Sequence, residues 1–390
     1  MSADSLPQYY SESAGGEIMG EPFDPATVAF VPGLELSRQY YFKAVRPILN
    51  DVFPKLRHSA ALVGYGSDVV GLDTERSRDH MWGPRMVLFV EPSFNPAERG
   101  FLYQALRQRL PVEFMGYPTH FGPPDEEGVR LMRKIKEGPV DHLIEITTLP
   151  EYFSKEIGWD TQAPLTVQDW LTFSEHKLLS LTSGGVWHDD LGLETLRQQL
   201  MYYPRDVWMY LLAAQWMKLG QEEAFVGRTA EVNDDLGSRI ITARLVQIVI
   251  GLAFLIERKY APYSKWFGSA FERLNMAPRL QPYLAGALRA NNFPERESHL
   301  CQAYSICTEE FNRLGLIEPV ETRPTFFHNR PYRVIHGDWI AHKIRAAIPD
   351  ERIRNLPNYL GSVNQFSGSV DLVSETEVCL SLKYLYNPGE

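Results

Sequence analysis

Apolar residues recur at three- and four-residue intervals between Leu34 and Leu56, through Tyr40, Tyr41, Ala44, Val45, Ile48, Leu49 and Val52. That spacing predicts an amphipathic helix, kinked near Pro47, where the ring and the missing N–H disturb a helix interior. The run Ala60-Ala61-Leu62-Val63 predicts a strand over 60–64, and Met86-Val87-Leu88-Phe89-Val90 predicts one over 84–91. Ala97 to Leu110 reads as helix, Val112 to Phe114 as a short strand, and 116–124 as a loop rich in Gly and Pro. Residues 125–137 read as helix and 142–147 as strand, so strands alternate with helices in an α/β region.

Past Thr166 the helical period takes over. Val167 to Leu181 reads as one helix. Another follows Pro204, with Val207, Trp208, Leu211, Leu212, Gln215, Trp216 and Leu219 on one stripe and Gly220 placed to end it. Asp235 to Arg258 and Pro294 to Leu314 complete a helical bundle. The expected division is a polar N-terminal arm (1–30), an α/β domain (31–155), the bundle (165–315) and a small C-terminal appendage (320–390) rich in proline. The fold class is therefore α+β, and no internal repeat is visible.

Composition narrows the partners. With 44% hydrophobic residues the 390-residue chain can bury real cores, and its formal net charge of -10 argues against a bulk electrostatic grip on nucleic acid. Three cysteines, Cys301, Cys307 and Cys379, lie outside any CxxC spacing, which fits a reducing, cytoplasmic setting without a disulfide framework or structural zinc. Residues 1–21 show no secretion signal. The most apolar window, Ile240 to Ile256, holds Arg244 and Gln247 and falls short of the roughly 20 residues of a membrane span, so no membrane partner is expected.

The chemistry concentrates in Gly64-Tyr65-Gly66-Ser67-Asp68-Val69-Val70-Gly71 and in Ser77-Arg78-Asp79-His80-Met81-Trp82-Gly83-Pro84-Arg85. Gly66 and Ser67 follow an apolar strand, and a glycine there lets backbone N–H groups approach a phosphate. The competing reading is an ordinary turn. Asp79, twelve residues after Ser67 and ahead of the second strand, could ligate a divalent cation or could simply cap a turn. Ser77 and Arg78 beside it are placed among the nucleotide contacts.

This layout resembles the nucleotidyltransferase superfamily of polymerase-beta-like fold, with Gly-Ser, a short helix, then Asp-x-Asp or Asp-x-Glu. The resemblance extends to an uncharacterised nucleotidyltransferase-like group known as a domain of unknown function. It is carried by Ser77 to Arg85, Tyr203-Pro204-Arg205-Asp206-Val207-Trp208, Gly227-Arg228, Asp234 to Ser238 and Tyr260 to Gly268, across about 35–375. It implies a nucleotidyltransferase-type mixed-sheet domain followed by a helical bundle, a plan similar to kanamycin-type antibiotic nucleotidyltransferases. It further implies Mg2+ or Mn2+ and a nucleoside triphosphate, ATP being expected, as donor to a small-molecule or protein acceptor. In that group position 81 is often Asp; Met81 stands here, and a thioether cannot hold magnesium. Either one metal suffices, or Asp68, Asp73 or His80 compensates, or the chemistry has been lost while binding persists.

Glu145, on the strand 142–147, fits the third carboxylate by placement, as metal ligand or general base, against the plainer reading of an exposed strand glutamate. Lys265, bracketed by Tyr263 and Trp266, could neutralise a triphosphate. Two further patterns fit worse. His336-Gly337-Asp338 resembles the catalytic loop of aminoglycoside-phosphotransferase-type kinases, but Lys343 stands where that loop needs asparagine. His176 with His188-Asp189 suggests a metal phosphohydrolase, but Gly184-Gly185 and Leu191-Gly192 around His188-Asp189 read as loop. Two functions stay open: metal-dependent nucleotidyl transfer, or a nucleotide-binding regulator or scaffold that kept the fold and lost the chemistry.

Overall fold

The computed structural model describes residues 20–79, 81–126 and 128–387. Most of the predicted N-terminal arm, His80 and the side chain of Asp79 lie outside the described residues. The protein is α+β, and the chain groups into two compact units. The first holds the residues up to Ala163 together with Leu179–Met201; the second holds Pro164–Leu178 and the chain from Tyr202 onward.

The first unit is built on a four-stranded mixed sheet of β1 (His58–Leu62), β2 (Arg85–Val90), β3 (Leu143–Thr147) and β4 (Gly185–Asp189) in the order β3-β2-β1-β4. β1 runs antiparallel to both β2 and β4, while β2 and β3 are parallel, pairing Arg85 with Leu143 and Val87 with Glu145. Every residue of β1 and β2 is buried, which explains why both read as unbroken apolar runs rather than alternating ones. One sheet face meets Tyr40, Tyr41, Val45 and Leu49 from the first helical segment and Leu102 and Leu106 from the segment Pro96–Arg109.

That first segment is α1 (Gly33–Tyr40), a wide turn at Tyr41–Val45 and α2 (Arg46–Val52). The i→i+5 turn ends just before Pro47, so the helix accommodates the proline by widening rather than by a sharp break. Helix α3 (Pro96–Arg109) starts in a capping box of Asn95 and Glu98, and α4 (Leu149–Ile157) in one of Thr148 and Glu151.

Two expectations fail here. The described residues of 125–137 form no helix: Arg133–Lys134 pairs with Glu21–Pro22, and the buried Arg130 side chain donates to the carbonyls of Gly122 (2.8 Å) and Phe121 (2.9 Å). Side-chain bonds of this kind hold an irregular segment that a helical ladder would otherwise satisfy. The supposed loop around His188 is strand β4. Gly184 (φ 77) marks a close approach and not a loop, for a Cβ there would stand 2.0 Å from the Leu62 carbonyl oxygen.

The predicted helix 167–181 is two helices, α5 (Val167–Thr172) in the second unit and α6 (Glu175–Thr182), which passes into the first at Leu179, because Phe173 turns extended (ψ 132) and buries its ring. The short α7 (Leu193–Gln199) belongs to the first unit. The second continues with α8 (Arg205–Glu222), α9 (Phe225–Glu231), α10 (Asp235–Ile256), α11 (Ser264–Phe271), α12 (Ala277–Arg289), α13 (Phe293–Arg313) and α14 (Gly337–Ala346). Gly220 does not end α8; the helix passes through it to Glu222, and α14 packs across that point. A Cβ on Gly220 would lie 2.2 Å from the Asp338 nitrogen, and one on Gly337 would lie 2.6 Å from the Trp216 oxygen. The glycines are there for helix-to-helix approach.

Helix α10 spans 22 residues and is long and apolar enough to cross a membrane by length and composition, contrary to the shorter window read from the sequence. It packs against α8, α9 and α13, burying Leu245, Ile248, Val249 and Leu252. Its cations are paired: Arg239 with Asp235 (2.8 Å) and Arg244 with Glu222. The kinase-like His336-Gly337-Asp338 proves to be the start of α14. His336 takes a left-handed conformation (φ 59), and the buried Glu223 carboxylate accepts from the N–H groups of Ile335 (2.6 Å) and Gly337 (2.9 Å).

Candidate functional site

β1 ends at Leu62, and after Val63 come Gly64 (φ 89) and Gly66 (φ 122), in conformations that L side chains rarely adopt. Space is equally restrictive. A Cβ on Gly64 would meet the Tyr152 hydroxyl at 2.4 Å, and one on Gly66 would meet Asp68 Oδ1 at 2.2 Å and Arg85 Nη2 at 2.3 Å. Beneath the turn lies a buried ion pair. Arg85 Nη2, at the start of β2, donates to Asp68 Oδ1 (2.7 Å) and to the Tyr65 carbonyl (2.8 Å). Asp68 and Arg85 are 1% and 4% exposed, and Asp68 Oδ2 and Arg85 Nε find no partner among the described residues. The Arg85 guanidinium also lies 4.5 Å from the Tyr65 ring centre.

After Ser67 the chain first forms turns, with Gly71 N–H donating to Asp68 O (3.2 Å) and Leu72 N–H to Ser67 O (2.7 Å), and the short helix that the resemblance implies is a 3-10 turn, Glu75–Asp79. Asp73 Oδ2 accepts from Gly33 N–H (2.8 Å) and Trp82 Nε1 (3.2 Å). Asp68 and Asp73, two of the acids offered as substitutes for a missing metal ligand, are thus committed to structural bonds. Met81 takes φ 43 and packs beside Trp82, Leu36 and Phe121. His80 is outside the described residues.

Ser77 and Arg78 also serve local structure. Ser77 Oγ accepts from Thr74 N–H (2.9 Å), while Arg78, 8% exposed, donates to the carbonyls of Glu75 and Val28 (both 2.9 Å). Glu145 stands on β3 beside Val87, its Oε1 3.1 Å from Lys155 Nζ. Burial works against the Lys155 ammonium, but Glu145 and Glu156 outweigh it and hold its pKa above the ordinary value. Glu145 also acts electrostatically on Tyr65 and on Tyr152, whose phenol burial pushes well above its usual pKa. The turn and Glu145 therefore share one neighbourhood through Tyr65 and Tyr152.

Lys265 belongs to the second unit, its ammonium 5.5 Å from the centre of the Trp266 ring. That unit contains a cavity of about 590 Å3, a volume suited to a small organic ligand. Gln215 and Lys218 of α8, Arg244 and Gln247 of α10, and Glu175 and Tyr263 contribute to its wall. Lys218 Nζ donates to the Gln365 carbonyl (2.7 Å), and burial lowers its pKa. Burial pushes the Glu175 carboxyl up to about 7, partly countered by the Ala261 N–H.

A folded pKa above the unfolded value means that folding retains a proton, so this contribution is complete below about pH 4.5 and is lost as pH rises through 7. Glu175→Gln should therefore gain on the parent by roughly 2 kcal/mol between pH 4.5 and 8, with partial exposure keeping the figure below the full shift. Urea unfolding at the two pH values measures it; parallel pH profiles would contradict the assignment.

His176, adjoining Glu175, lies within ring contact of Tyr263 (4.9 Å) and Trp266 (5.7 Å), and burial lowers its pKa to about 4. It belongs to the second unit, whereas His188 belongs to the first.

Residues 170–267 match the family described as "Domain of unknown function (DUF4037)". That segment contributes Glu175, Lys218, Arg244 and Tyr263 to the cavity wall. Among solved structures, the chain is similar to a nucleotidyltransferase-like protein from Exiguobacterium sibiricum 255-15, at 9% identity and a TM-score of 0.31, over 73% of this chain and 82% of that one. Likeness of that degree does not establish a shared activity. No curated protein matches.

Sequence reasoning missed the Asp68–Arg85 pair and the packing of Tyr152 against Gly64. The partners lie 17 residues apart in the first case, and no periodicity reports such a contact. A signal did exist: an arginine opening an apolar strand needs an acid close by.

Proposed function

We propose that the first unit binds a nucleoside triphosphate at the Gly64–Ser67 turn and that the protein transfers a nucleoside monophosphate, from ATP, to a small-molecule or protein acceptor. The observation that carries this reading is the turn itself: a buried strand ending in two left-handed glycines, with Glu145 on the same sheet. Backbone N–H groups at such a turn suit phosphate oxygens. In the transfer, an acceptor oxygen attacks the α-phosphorus, the bond to the β-phosphate bridge breaks, and pyrophosphate leaves. Glu145 would take the acceptor's proton or complete the metal site, and Lys155 would counter phosphate charge. A single Mg2+ or Mn2+, held by Asp79 and Glu145, would supply further charge neutralisation. The acidic chain and its three free cysteines fit a cytoplasmic enzyme without a nucleic-acid substrate.

Incubation with α-labelled ATP and a metabolite or protein pool should yield labelled product, and Asp79→Ala should abolish it. Transfer at full rate in that variant would refute the assignment. The second reading, a nucleotide-binding regulator, is favoured by Met81 and by the structural commitment of Asp68 and Asp73. It expects ATP binding by calorimetry that is indifferent to magnesium and accompanied by no turnover.

A further inference from the structure

At the opposite end of β1 from the glycine turn, three ligand-type side chains converge. His58 opens β1, His188 lies on the adjoining β4 in register with Ala60, and Asp190 follows the end of β4. One ligand atom from each lies within 4.8 Å of the other two. The two imidazole rings are 4.4 Å apart, and His188 Nε2 is 2.8 Å from Asp190 Oδ2. We propose that His58, His188 and Asp190 form a transition-metal site, with zinc as the cation that their chemistry fits.

The surroundings orient the ligands. His58 is buried, and its Nδ1 lies 3.2 Å from the Leu56 carbonyl, which fixes the proton there and leaves the Nε2 lone pair for a ligand. A backbone carbonyl holding the second ring nitrogen is the usual outer support of a metal-binding histidine. Nε2 lies 2.9 Å from the Tyr41 hydroxyl, which donates to it and gives way when a cation takes the lone pair.

The neighbouring Asp189 is not a ligand. Its oxygens accept from Ser59 Oγ (2.6 Å) and from the N–H groups of Gly192, Leu193 and Glu194 (2.9 Å each), which pins the loop bearing Asp190. Arg57 holds the Asp190 carbonyl at 2.8 Å and leaves its carboxylate to the histidines.

Two imidazole nitrogens and one carboxylate oxygen suit Zn2+ or Co2+ and not Mg2+, and three protein ligands leave a fourth position open to water or an added ligand. Asp190 is exposed and His188 half-buried, so a cation enters from solvent. Binding would rivet edge strand β4 to β1. The site is independent of nucleotide binding at the turn.

The test is titration of the full-length protein with Co2+, read by its visible absorption, and with Zn2+ by calorimetry. One cation per chain is expected, with a rise in melting temperature. His188→Ala and Asp190→Asn should each weaken binding at least tenfold, whereas His176→Ala should not alter it. His58 is left intact because its burial makes it a folding residue as well. The parent failing to bind one cation per chain, or both variants binding with parental affinity, would overturn the proposal.

Discussion

Asp68→Ala should destabilise the first unit by roughly 3–5 kcal/mol, because it strands the Arg85 guanidinium in a site that is almost closed to water. Arg85 Nη2 would keep only the Tyr65 carbonyl, and the Val69 N–H would lose the carboxylate oxygen now 3.0 Å away. Asp68→Asn keeps an acceptor for both donors and should cost less. The double variant Asp68→Leu with Arg85→Met removes both charges and should recover part of the loss, since a buried pair replaced by apolar groups leaves no uncompensated ion. Urea unfolding followed by circular dichroism gives all four values. An alanine variant within about 1 kcal/mol of the parent would mean that solvent reaches Arg85, and the turn could then not depend on the pair.

Gly220→Ala should destabilise the second unit by about 2–3 kcal/mol, although alanine is the better helix former by ~1 kcal/mol. The expected sign is therefore opposite to that given by propensity. A methyl group on α8 at this point would overlap the Asp338 backbone nitrogen, an atom that cannot turn aside as a flexible side chain can. Separating α14 from α8 would also disturb the two hydrogen bonds that Glu223 accepts from Ile335 and Gly337. Thermal unfolding compares the parent with this variant and with Gly268→Ala, a control in α11 where nothing lies within 4 Å of an added Cβ. A stabilised Gly220→Ala would show that the helices are looser than this crossing requires.

The elements that were legible in the sequence are those whose pattern is set locally. β1 and β2 announce themselves as apolar runs because they are buried throughout, and α8 and α10 as long apolar segments. β4 was hidden because glycines flank it, and glycine there reflects contact with the Leu62 carbonyl, a partner more than a hundred residues earlier. Residues 125–137 carried helix-forming residues, but Arg130 and the pairing with Glu21–Pro22 prevailed over propensity. At the site, the glycine turn and Glu145 were readable from order along the chain. The structural commitments of Asp68, Asp73, Ser77 and Arg78 were not, since each is decided by a neighbour that tertiary packing supplies.

The edge strand β4 reaches the sheet only after the chain has left the first unit at Pro164 and come back at Leu179. A ribosome must therefore release some 190 residues before β1 can gain its second neighbour, and until then that strand offers bare backbone to any passing polypeptide. Cutting the gene at the apparent domain junction near 163 would make the exposure permanent, and the resulting fragment should precipitate.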